Sequence, residues 1–410
     1  MNHASSFAAL SRASIQSLRA SRIREVANAG MGRSDVLPFW FGEPDEVTPA
    51  FIRDAAKQSL DAGETFYTQN FGLPALRETL AAYSSRLHRP THANSIAVTS
   101  SGVSALMLTA QLLLNPGDRV VIVTPLWPNL VEIPKILSAE VVTVSLQLNT
   151  KKNDPVWELD LDELLAALTP GTQALLLNSP NNPTGWVITR EQQDVVLAHC
   201  RKHGIWLIAD DVYERLVYDQ AADTPSCAPS FLGLAEPDER IVSINSFSKS
   251  WLMTGWRLGW IHAPESLIAD LGKLIEYNTS CAPGFVQQAG IVAIERGEEI
   301  ITHTLERYTR ARNYLYEQLS RPFFREAGII APLPKGAMYV FFKIQGEKDS
   351  LALCKQLVAE AGIGLAPGSA FGPEGEGAIR WCFASSLDKL ELGVQRLENF
   401  MKHRTAQNPT

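Results

Sequence analysis

A single lysine, Lys249, stands among serines and apolar side chains in the stretch "SINSFSKSWLMTGWRLGW", with Arg257 eight positions further on. A lysine held among apolar groups is costly unless its charge is paired or removed. Condensation with an aldehyde removes the charge. Desolvation and a nearby cation also lower the amine's pKa and make it a nucleophile. Other residues suited to chemistry follow β-like runs. "SSGVSALML" sets Ser101, Gly102 and Val103 at the opening of a helix, where free N–H groups suit a phosphate. Taken alone, such a Ser-Ser-Gly is more often a helix cap. Trp127, after "DRVVIVTP", offers a face for a flat ring. Asn182 lies in the turn "SPNNPTGWV". Asp210 opens "DDVYERL", with Tyr213 three positions later. An acid ending a buried strand needs a cation or a set of hydrogen bonds, unless it caps a helix.

The elements that must position these residues alternate. From about residue 95 to 262, short runs such as "SIAVTS", "DRVVIVTP", "QALLLN", "GIWLIAD" and "RIVSIN" are separated by helical segments such as "REQQDVVLAHCRKHG". Near-continuous apolar strands divided by helices predict an α/β fold, a mostly parallel sheet covered by helices on both faces. Ligands of such sheets sit beyond the carboxyl ends of the strands, so the residues above belong together. Arg257, Ser246 and the helix at Ser101–Gly102 then converge on a dianion. An aldehyde, a phosphate and a flat ring that wants an acidic partner describe pyridoxal phosphate, with Lys249 as its Schiff-base lysine.

After about residue 285 a long helical stretch leads into candidate strands "AMYVFFKI" and "GAIRWCFA". These predict a smaller α+β domain, completed by N-terminal residues that cross over near "FGEPDEVTPAF". The expected units are 1–46 (an arm and part of the small domain), 47–290 (the large cofactor domain) and 291–410 (an interdomain helix and the small domain). Residues 1–24 hold four arginines and no acid. They read as an amphipathic helix with Ile15, Leu18 and Val26 on one face, in preference to a transit peptide.

The formal net charge of −7 and the lack of a long basic run argue against nucleic acid. Five scattered cysteines without a C-x-x-C pair argue against a zinc site and a disulfide framework, and for a reducing compartment. The apolar runs are too short to span a bilayer. A cytoplasmic protein without a metal is expected.

With these blocks in order, the chain resembles the class I (aspartate aminotransferase-like) aminotransferases of the pyridoxal-phosphate fold-type I superfamily. "SFSKSWLMTGWRLG" is similar to the family's lysine signature, "SPNNPTG" to its Asn-Pro loop and "GEPD" to its N-terminal substrate loop. "FYTQNFGLPALRE" and "GSAFGPEGEGAIRWCFA" match two further blocks. The resemblance implies that Lys249 carries the cofactor, Asp210 pairs with the pyridinium nitrogen, and Tyr213 and Asn182 reach the phenolic oxygen. It makes Trp127 the stacking aromatic and assigns the phosphate to Ser101, Gly102, Val103, Ser246 and Arg257. Tyr67 would reach the phosphate of a neighbouring subunit, implying a homodimer with shared active sites. Arg380 would clamp the substrate α-carboxylate, helped by the backbone of Gly42.

An aminotransferase passing an amino group between an L-amino acid and a 2-oxo acid with ping-pong kinetics is the leading expectation. A lyase on the same scaffold and a non-catalytic binder of the cofactor are the alternatives. As the resemblance implies, aspartate-preferring members need a cation for the distal carboxylate. Here Val103 occupies one such place, and Glu276, in "LIEYNTSCAPG", aligns with the other. Neutral or apolar donors, or cationic ones, are therefore expected to outperform aspartate, unless a cation comes from elsewhere, for instance the N-terminal arm.

Overall fold

The computed structural model describes residues 11–152, 154–219 and 226–407. A seven-stranded sheet is ordered Ile96–Thr99, Gly259–His262, Ile241–Ser246, Trp206–Asp210, Thr172–Asn178, Arg119–Thr124, Glu140–Ser145. Gly259–His262 is antiparallel to both neighbours, and the other pairs are parallel. The strand Arg119–Thr124 shows why the strands read as unbroken apolar runs. Val120 and Ile122 pack on one side with Leu106, Leu130 and Leu271. Val121 and Val123 pack on the other with Val196 and Leu197. Successive side chains point to opposite faces, so a sheet covered twice needs an apolar residue at every position.

The smaller unit is an antiparallel sheet ordered Ile329–Ile330, Tyr339–Ile344, Ala378–Cys382, Ala366–Pro367. The N-terminal segment joins this part of the molecule. Leu37–Pro38 pairs in parallel with Ile363–Gly364, and helix Arg22–Gly30 buries Ile23, Val26 and Ala27.

Two expectations are corrected. The N-terminal amphipathic helix is not continuous. Ala13–Gln16 and Arg22–Gly30 are separate helices, because Ser21 ends the connection by capping the second with a hydrogen bond from the Arg24 N–H (3.2 Å). Ile15 and Leu18 thus share no helical face with Val26; residues 1–10 lie outside the described residues. The long helical stretch is likewise two helices, Gly284–Arg296 and Glu298–Leu319, parted at Gly297, a poor helix former.

Candidate active site

Every strand end singled out above meets one pocket of about 610 Å³. Gly102, Val103, Trp127, Asn182, Asp210, Tyr213, Ser246, Lys249, Arg257, Arg380 and Gly42 all line it. Two candidates do not. Ser101 is buried just behind the wall, where its hydroxyl accepts the Ser104 N–H (3.0 Å) and caps helix Gly102–Leu113. Tyr67 is 91% exposed, away from the pocket of its own chain.

Lys249 follows strand Ile241–Ser246, and its Nζ donates to the Gly42 carbonyl (2.5 Å). Burial, with Arg380 and Arg257 adding to it, pulls this amine down to about 8. The carbonyl can approach because residue 42 has no side chain. A Cβ there would sit 2.0 Å from the Tyr339 hydroxyl.

Asp210 is buried, and among the described residues its carboxylate accepts only a long bond from the Val212 N–H (3.4 Å). Burial, reinforced by Asp211, pushes it up to about 7. An acid so poorly satisfied, facing a pocket, is ready for a cationic partner. Its neighbour Asp211 faces away and accepts from Ser243 Oγ (2.7 Å) and Ser230 Oγ (3.1 Å), so the two adjacent acids have different surroundings.

Arg380 lies on strand Ala378–Cys382 and is 2% exposed, with no carboxylate partner among the described residues. Its Nη1 donates to Asn182 Oδ1 (3.0 Å) and its Nη2 to the Trp40 carbonyl, while its Nε has no partner among the described residues. A buried guanidinium with a free donor suits a carboxylate. At the outer edge, Arg257 turns its Nη1 onto the Thr254 carbonyl (2.7 Å). Gly259 lets the next strand lie against the phosphate-type loop, since a Cβ there would fall 2.7 Å from the Gly102 nitrogen.

Among the lining residues not singled out by the sequence, Asn178 and Tyr339 bond directly to candidate residues. Asn178 links the site's parts: its Nδ2 donates to the Asp210 carbonyl (3.1 Å) and its Oδ1 accepts the Asn182 N–H (2.8 Å). A polar residue closing the apolar run "QALLLN" was the available signal. Tyr339 bonds the Tyr213 hydroxyl at 2.7 Å and lies under the Arg380 guanidinium, 4.4 Å from its ring centroid. Nothing in "AMYVFFKI" distinguishes it from a core tyrosine. Glu276 lies elsewhere. It is exposed and accepts from Asn70 Nδ2 (2.8 Å), outside its own chain's pocket. Away from this pocket, one grouping of metal-type side chains occurs among the described residues: His88, Glu214 and Cys227. There the Glu214 carboxylate is already engaged by Tyr83 (2.9 Å) and His88 (3.0 Å).

A family model described as aminotransferase class I and II matches residues 34–397. The chain belongs to this family. The aminotransferase is 31% identical to the aromatic-amino-acid aminotransferase 2 of Thermococcus litoralis, with 95% of this chain and 98% of that one covered. It is 32% identical to an aspartate aminotransferase of Pyrococcus abyssi, with 94% and 96% covered. Among solved structures, the aromatic aminotransferase of Pyrococcus horikoshii superposes with a TM-score of 0.82 at 31% identity, covering 93% and 99% of the two chains. The aminotransferase is a pyridoxal-phosphate-dependent transaminase of the aspartate aminotransferase fold. The pocket fits that cofactor on its own chemistry: a largely buried amine, an acid that forms no ion pair among the described residues, and a glycine-lined helix start beside an arginine.

The neutral amine is the form that attacks an aldehyde. Capture of pyridoxal phosphate by the apoprotein is therefore expected to accelerate with pH and level off above about 8. Stopped-flow absorbance measures this. A midpoint at the ordinary lysine value of 10.5 would show that the pocket does not perturb Lys249.

Proposed function

We infer that this transaminase takes its amino group from neutral or apolar amino acids, including aromatic ones, and works by a ping-pong cycle with Lys249 as the proton carrier. The observation that carries the site assignment is that Lys249, Asp210 and the Arg380 fork line one pocket. When bound, the cofactor's ring acts as an electron sink that makes the substrate's Cα proton labile. Lys249 would hold the aldehyde, and its freed amine would move the Cα proton as base and then as acid. Asp210 would keep the ring nitrogen protonated. Tyr213 and Asn182 would reach the phenolic oxygen, and Trp127 would cover the ring and exclude water. Gly102, Val103, Ser246 and Arg257, with the Ser101 backbone, would hold the phosphate. Arg380 would fix the α-carboxylate beside the Gly42 backbone.

The donor class is supported by the apolar wall, which includes Ile23, Phe41, Val103, Leu106 and Leu130. The relatives carry both names, aromatic and aspartate aminotransferase, so the wall alone carries the choice between them. A homodimer is supported by two exposed aromatic residues on adjoining segments, Tyr67 at 91% and Tyr277 at 90%. The Asn70–Glu276 bond ties those segments together, and a second copy covering them would bring Tyr67 to the neighbouring site. Free cysteines, three of them buried, support a cytoplasmic setting. Among the described residues no helix is long and apolar enough to cross a membrane. The division near residues 46 and 290 is supported by packing. Helix Gly284–Arg296 lies on Ala50–Asp61, whereas Glu298–Leu319 lies on Leu387–Gln407, which favours Gly297 as the joint.

Mixing the holoenzyme with single amino acids and following the cofactor's absorbance tests the donor class. Phenylalanine, methionine or alanine is expected to exceed aspartate in kcat/KM. Aspartate ahead by about tenfold, 1.4 kcal/mol of transition-state binding, would mean that the side-chain pocket lies elsewhere.

A further inference from the structure

His88, Glu214 and Cys227 are distant in the sequence, and the fold brings their side chains together. His88 ends helix Pro74–Leu87 as its C-cap. Glu214 follows Tyr213 in the turn beyond strand Trp206–Asp210. Cys227 precedes Ala228, whose N–H donates to the Glu214 carbonyl (2.7 Å). An imidazole nitrogen, a carboxylate oxygen and the sulfur all lie within 4.8 Å of one another. The imidazole and the carboxylate are 6% and 3% exposed, and the thiol is free and partly buried. No cysteine spacing announces such a set, because one thiol suffices when a histidine and an acid complete it.

We propose that these three side chains form a Zn²⁺ site, separate from the cofactor pocket, which none of them lines. Imidazole, carboxylate and thiolate are ordinary zinc ligands, and a thiolate selects against magnesium and calcium. Two nitrogen or oxygen ligands on one tetrahedral zinc stand ~3.3 Å apart, and a sulfur stands ~3.6 Å from each. His88 Nε2 and Glu214 Oε2 are 3.0 Å apart, so an ion needs only to part them slightly while the sulfur closes in. The Tyr83 hydroxyl donates to the other carboxylate oxygen (2.9 Å). That bond fixes the carboxylate's orientation, as supporting hydrogen bonds do around metal ligands. Asp211 adds negative charge beside His88 and Cys227, opposed by Arg190. On binding, Nε2 and the thiol release their protons to solvent and give their lone pairs to the metal, and water takes the fourth position. A buried ion pair accounts for the His88–Glu214 contact but has no use for the thiol. Because Glu214 adjoins Tyr213, the ion ties the turn that follows Asp210 to the end of helix Pro74–Leu87.

The test uses reduced holoenzyme cleared of metal with a chelator. Zn²⁺ affinity is measured against a fluorescent zinc indicator for wild type, His88→Gln and Cys227→Ser. Two controls accompany them. Cys281→Ser removes a thiol elsewhere, and His203→Gln breaks up the adjacent imidazoles of His199 and His203, whose rings are 4.5 Å apart. Wild type is expected to bind one Zn²⁺ per chain, with X-ray absorption showing one sulfur at ~2.3 Å from the metal. Losing even a supporting residue weakens metal binding by ~10- to 100-fold. His88→Gln and Cys227→Ser are expected to lose at least that factor, and the controls to bind as wild type does. The wild-type absorption spectrum decides the matter should a variant fail to fold. No saturable binding to wild type, or zinc without a sulfur neighbour, would overturn the proposal. So would binding that is lost in a control and kept in Cys227→Ser.

Discussion

Replacing Lys249 with alanine is expected to abolish transamination while leaving the fold intact. Two functions go at once: the covalent anchor and the base at Cα. Loss of a general base alone lowers rates by ~10²–10⁴-fold. The variant should still hold pyridoxal phosphate through the phosphate loop and Arg257, and borohydride should then leave no cofactor attached to the chain. The serines around Lys249 are tied into the local backbone, with Ser246 Oγ accepting the Ser248 N–H (3.1 Å), so an alanine at 249 leaves the turn its own supports. Turnover near the wild-type rate would remove Lys249 from the chemistry.

Asp210→Asn is expected to separate catalysis from stability in a way that a helix cap would not. Asparagine keeps the shape but cannot keep a ring nitrogen protonated, so the half-reaction should slow by several orders of magnitude while cofactor binding weakens far less. The folded-state pKa of this acid is raised, from 3.8 to about 7. The unfolded chain therefore releases the proton at lower pH than the folded one. Between those values the ionised carboxyl takes away stability as pH rises. Removing it should make the apoprotein more stable at neutral pH, by about a few kcal/mol, and flatten its stability between acid and neutral pH. Denaturant titration of both apoproteins reads this. A cap residue would behave differently, because asparagine caps a helix as well as aspartate does and the replacement would leave stability nearly unchanged. An unchanged half-reaction rate would count decisively against the assigned role.

The large sheet and most of the pocket were legible because each strand is an apolar run that stops at a polar residue, and the fold places those stops side by side. Asp210 and Ser246 are such stops, and Asn182 and Lys249 follow within four residues of one. What escaped depends on contacts that local sequence does not encode. Tyr339 belongs to a strand of the other sheet, where a buried tyrosine is ordinary, and only docking of the two parts sets its hydroxyl against Tyr213. Arg24 was included in the composition of an arginine-rich start, but its place on the pocket rim, over the Phe41 ring, depends on the side toward which the helix is buried. The break before Arg22 was missed because apolar spacing continues through it while the backbone hydrogen bonds do not. Tyr67 and Glu276 both lie outside the pocket of their own chain.

The pairing of Leu37–Pro38 with Ile363–Gly364 has a consequence for the protein's manufacture. A ribosome releases the first of these strands early and the second only when the chain is nearly finished. Until residue 363 emerges, the segment bearing Arg24, Phe41 and Gly42 lacks the strand it pairs with. Domains generally fold as units during synthesis, the N-terminal one first. Here the cofactor-holding sheet, complete by about residue 262, can form ahead of the opening segment. The segment around residues 22–42 is translated before that sheet yet completes its pairing after it, so a nascent chain has the sheet's side of the pocket before the rim that Ser21, Ile23 and Phe41 supply.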